Sequence, residues 1–115
     1  MTQNHGKTTA KKASTHDVTM PLLNAMFDEF KELAKKKPEA AVSKSKLVIA
    51  NRLLQRVREV LADEESIEFL DLLDEDDVPQ VSDVTLIFSQ YVAAMHAFKT
   101  KYHGWNGADR AWFIK

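Results

Sequence analysis

The residues best equipped for chemistry in this chain are an acidic run and a small set of histidines. Asp71, Asp74, Glu75, Asp76 and Asp77 crowd one short stretch. Hard cations are held by converging oxygen ligands, so a metal loop is the first reading to weigh. The run lacks the alternating spacing and the central glycine of a calcium loop, and neighbouring acids along a chain point apart. A solvated acidic loop that faces a partner fits better. The histidines are His5, His16, His96 and His103. His96 and His103 lie two helical turns apart, whereas helical metal ligands are usually a single turn apart. Exposed or capping imidazoles account for them. Neither a metal nor a cofactor is expected.

Other catalytic constellations are missing. There is no cysteine, which excludes disulfides and thiolate chemistry. Small helical ribonucleases place an Arg a few residues before a His on a late helix. Here Lys99, Thr100, Lys101 and Tyr102 precede His103. The group that would stabilise a phosphorane-like charge is therefore absent. No nucleophile elbow, P-loop or dinucleotide fingerprint occurs. A helix-turn-helix needs a tight joint, and the connector 38–45 is too long and has no glycine. These residues point away from an enzyme without deciding the matter.

Charge is segregated along the chain. The net charge of −1 divides into +4 over residues 1–50, −7 over 51–81 and +2 over 82–115. A neutral chain with a basic start and an acidic middle is not an obvious polyanion binder, and it could meet a copy of itself, basic part to acidic part. The leading expectation is a small non-catalytic interaction or regulatory module that acts through protein–protein contacts and self-associates as a homodimer. The alternative is a nucleic-acid-binding protein using Lys7, Lys11 and Lys12 together with Lys35, Lys36 and Lys37. No signal peptide and no membrane span are visible, so a cytoplasmic setting is expected.

The elements that must position these groups are helices. Few glycines and prolines, three of each, favour helix over turn-rich β structure. The spacing predicts an all-α antiparallel bundle of about four helices, near 20–37, 45–62, 64–73 and 82–103. The last of these is the organising element. Val84, Ile87, Phe88, Tyr91, Met95, Phe98 and Tyr102 form its stripe, Ser82 is its expected cap and Gly104 its stop. Pro21 fits the first turn of the first helix and Pro38 ends it. The stripe of helix 45–62 is wide enough for two neighbours, because Val48, Leu53 and Val60 flank its central row. The expected core is Leu23, Phe27, Phe30, Leu33, Leu47, Leu54, Val57, Leu61, Leu70, Leu73, Ile87, Tyr91, Met95 and Phe98.

The two ends are expected to behave differently. Residues 1–18 have almost no large apolar side chain and are read as a flexible basic arm, disordered because too little can be buried to offset ordering. Residues 19–115 form the single helical domain. The C-terminal tail is aromatic, with Asn106-Gly107 as a turn signal. Trp105, Arg110, Trp112 and Phe113 are the candidate partner-binding residues, since aromatics and Arg are what interface centres favour. A competing account has Trp112 close over the core of its own chain.

Overall fold

The computed structural model describes residues 6–115. Its elements, in chain order, are α1 (Ala10–Lys36), α2 (Lys44–Leu61), a short 3-10 turn (Glu65–Phe69), α3 (Val81–Tyr102), β1 (His103–Trp105) and β2 (Arg110–Trp112). The chain is mostly helical, and α1 packs against both α2 and α3. Lys12 near the start of α1 pairs with Asp63 just past the end of α2, so these two helices are antiparallel. The core is continuous from Leu23 and Phe30 of α1 through Leu47, Leu54 and Val57 of α2 to Phe88, Tyr91, Met95 and Phe98 of α3. Among the described residues no helix is long and apolar enough to cross a membrane.

Helix α2 is the element closest to its sequence reading. The Ser43 side chain accepts from the Lys46 amide and caps it. Helix α3 starts at Val81 with Gln80 in the cap position, so Ser82 does not cap it. Its stripe is as expected, except that Ile87 is half-buried while Val84 and Phe88 are fully enclosed. Phe27 and Leu33 of α1 are likewise half-buried and pack against the core from its rim.

Three expectations are corrected. The proposed fourth helix at 64–73 is only the 3-10 turn Glu65–Phe69, and the chain beyond it runs on without helix, tied down by side chains of α2 and α3. Buried Asn51 donates from Nδ2 to the Leu73 carbonyl at 2.7 Å and accepts the Leu73 amide on Oδ1 at 2.9 Å. The Tyr91 hydroxyl donates to the Asp71 carbonyl, and the Arg58 guanidinium to that of Leu70. Leu70 and Leu73 are nevertheless buried, held there by an extended segment.

The chain is not all-α either. The end of α3 turns directly into an antiparallel hairpin, with His103 opposite Trp112 and Trp105 opposite Arg110. Gly107 supplies the turn with a φ of 100°, a backbone conformation that side chains resist. The Asn106 carboxamide oxygen accepts the amides of Ala108 and Asp109 and fixes the loop.

Finally, residues 10–18 are not a flexible arm. They are the first turns of α1, which begins nearly three turns before the expected position. The Thr9 hydroxyl caps it by accepting the Lys12 amide. Thr8 is pinned from both sides, its amide donating to the Phe113 carbonyl and its carbonyl accepting the Lys115 amide, each at 2.9 Å. The stripe that buries this segment is Ala13, His16 and Thr19, small or polar side chains that a search for large apolar residues passes over. Residues 1–5 of the proposed arm, with His5, lie outside the described residues.

Candidate protein-interaction surfaces

The tail is the first place to look. The pairing of β1 with β2 puts His103, Trp105, Arg110 and Trp112 on one face of the hairpin, since side chains alternate along a strand. That face is covered at one rung and open at the next. Trp112 lies 5.1 Å from the His16 ring, 5.1 Å from His103 and 5.9 Å from Phe98, centroid to centroid. Its indole N–H donates to the Asp17 carboxylate at 3.1 Å. Trp112 therefore closes the core of its own chain. Trp105 is 61% exposed and Arg110 opposite it is exposed too. Phe113 is half-buried and uses its backbone, donating to the Tyr102 carbonyl and accepting from Thr8. The four proposed tail residues thus divide between closure and exposure.

His16 is the least expected member of this cluster. It is 2% exposed and its Nε2 lies 2.9 Å from the Met95 carbonyl, which only accepts, so that nitrogen carries the hydrogen. Nδ1 is then the bare nitrogen, and it has no hydrogen-bond partner. Burial holds the ring below the ordinary histidine range, against the opposing pull of the Met95 hydrogen bond. His103 is also lowered, by partial burial and by the nearby charges of Lys99 and Arg110. His96 is exposed on α3.

The lysines do not converge. Lys11 and Lys12 stand at the start of α1, and Lys35, Lys36 and Lys37 at its end. At 1.5 Å per residue the two groups are about 35 Å apart. Lys7 is exposed beside the tail. Lys12 is engaged by Asp63, and Lys35 by Glu32 at 2.9 Å. The acidic run does not converge either. The Asp74 carboxylate accepts the amides of Asp76 and Asp77, Glu75 accepts from Asn51, and Asp76 faces Lys44 at 3.5 Å. Among the described residues no group of three or more His, Asp or Glu is arranged to hold a metal ion.

A larger feature lies where no site was expected. Between α1 and α2 runs an open groove of about 800 Å³. Val18, Leu22 and Met26 line its α1 wall, and Ile49 and Leu53 its α2 wall. Val18 is 64% exposed, Leu22 55% and Ile49 50%. Glu29 stands on the α1 lip, Arg52 and Arg56 on the α2 lip. The wide α2 stripe meets α1 and α3, and of its flanking residues Val48, Leu53 and Val60 only Leu53 lines the groove. Val18 and Leu22 carried a signal on α1, hidden because the helix was expected to begin after Val18. Among protein-family models, curated proteins and solved structures, none matches this chain.

Proposed function

We propose that this chain is a small non-catalytic helical module that works through protein–protein contacts, with the α1–α2 groove as its docking face. The row of exposed aliphatics carries this reading. Single exposed aliphatic side chains are ordinary, but a contiguous row rimmed by charged residues marks a contact surface. Fully burying one such side chain is worth about 1.5–3 kcal/mol. Val18, Leu22 and Ile49 are each half or more in water, so together they forgo between one and two such burials, and a bound protein face recovers them. The tail, first expected to be the contact, has one of its two tryptophans, Trp112, turned inward. The nucleic-acid alternative needs its lysines on one surface, and the two clusters stand at opposite ends of α1.

A photo-activated cross-linker placed at position 22 in the native cell tests the proposal, with exposed position 100 on α3 as the control. The expected result is a discrete protein product from position 22 that disappears when Ile49→Glu alters the facing wall. Identical products from both positions would overturn the docking face.

A further inference from the structure

The proportions and charges of the groove indicate what covers it. Its α1 wall runs from Ser14 to Glu29, which at 1.5 Å per residue is about 22 Å. Two helices side by side are roughly 20 Å wide. Such a face on each of two molecules amounts to roughly 900 Å² in all, close to the lower bound of about 1,000 Å² for a specific interface. A single docked helix is only about 10 Å across and leaves half the width bare. An identical two-helix face covers all of it and completes a four-helix packing.

One pair of charges is self-complementary. Glu29 is on the α1 side, and Lys46 and Arg52 are on the α2 side. Among the described residues, none of these groups has an ion-pair partner within its own chain. Glu29 and Lys46 stand at the same height, since both line the small cavity at that end of the groove. A two-fold axis running along the groove keeps every residue at its height and exchanges the two lips. It lays α1 of each copy over α2 of the other, antiparallel, and brings Glu29 level with Lys46 twice.

We infer that the occupant of the groove is a second copy of this chain, packed α1 over α2 about such an axis; this rests on the docking face proposed above. The small footprint makes the dimer weak, with a dissociation constant of roughly 1–100 μM.

Sedimentation equilibrium of the full chain from about 1 μM to about 500 μM reads the association directly. The wild type is expected to shift from monomer to dimer across that range. Leu22→Glu and Ile49→Glu should each weaken the dimer at least about tenfold, since each change enters the interface twice. Glu29→Lys and Lys46→Glu should each weaken it, and the double exchange Glu29→Lys with Lys46→Glu should recover it. A recovery of that kind is not produced by loss of fold. A chain that stays monomeric while position 22 still cross-links to a different protein overturns the second copy and leaves the docking face standing. A monomer with no product specific to position 22 overturns both. A dimer indifferent to Leu22→Glu has its interface elsewhere and also overturns the inference.

Discussion

Two faces of the first half of α1 make an instructive pair. The face toward α3 and the hairpin presents His16, and Ala13 lies one turn before it; both are buried. The face toward the groove presents Val18 and Leu22, and both are exposed. Hydrophobicity alone would have turned this helix the other way round. The inward face works because its small side chains admit close approach and the aromatic tail supplies the bulk, Trp112 filling the space over His16 and Phe98. The outward face has bulk of its own, and among the described residues nothing covers Val18 and Leu22. The more apolar side of this stretch of helix is the one left open.

The largest test strikes the closed face. Trp112→Ala should cost about 3 kcal/mol, somewhat under a fully buried aromatic because the ring is half-exposed. It uncovers His16 and Phe98 and frees the strand that holds Thr8, so the start of α1 should fray at the same time. Chemical denaturation measures the first effect, and amide exchange at residues 10–16 the second. Unchanged protection of those amides would mean that the tail does not order the N-terminal turns.

Next comes Asn51, which shows the same inversion on α2: a polar side chain faces inward while Val48 and Ile49 face out. Asn51→Ala removes both hydrogen bonds to Leu73. It leaves a buried amide and carbonyl unmatched, for a loss of about 2 kcal/mol. Asn51→Leu, which adds apolar volume at the same place, should not rescue it. Rescue by Leu would show that the site wants bulk rather than hydrogen bonds.

How much of this was legible in the sequence follows from the same inversion. Helices α2 and α3 announce themselves through large apolar residues at helical spacing, and their buried rows were readable. The start of α1 was not, because its order comes from a distant source. Thr8 is held by residues at 113 and 115, and His16 by a carbonyl at 95. Local composition over residues 6–18 contains no trace of those partners. The segment after the 3-10 turn was misread for a related reason, since Asn51, Arg58 and Tyr91 reach it from elsewhere in the chain. The hairpin was half-legible: Asn106-Gly107 marked the turn, but strands this short carry no readable alternation. The groove was not legible: the wide α2 stripe finds its two neighbours in α1 and α3, and Ile49 on the groove wall stood outside that stripe.

A smaller effect comes from pH. Burial keeps the folded-state pKa of His16 below its ordinary 6.5, so the unfolded chain takes up that proton first. Above pH 6.5 this group leaves stability unchanged with pH, and below it stability falls as the pH drops. His103 adds in the same direction, more weakly because it is half-exposed. Denaturation of wild type and His16→Gln, compared between about pH 7.5 and about pH 5.5, should show a steeper loss in the wild type. Equal slopes would mean that protonated His16 is accommodated without opening the cluster.

The smallest expected change in stability belongs to the open face, and its smallness carries the argument. Leu22→Ala removes a side chain that is already 55% in water. It should shift the folding free energy of the monomer by less than about 0.5 kcal/mol, as exposed substitutions do. Measured at a concentration low enough to hold the chain monomeric, the variant and wild type should therefore unfold together. Raised to high concentration, only the wild type should gain stability, because a dimer that forms from folded chains adds free energy by mass action. The closed face behaves oppositely, and Trp112→Ala should cost the same at every concentration at which both chains are monomers. A Leu22→Ala loss as large as that of Trp112→Ala in the monomer would show that Leu22 serves its own chain's packing, and the contrast between the two faces of α1 would disappear.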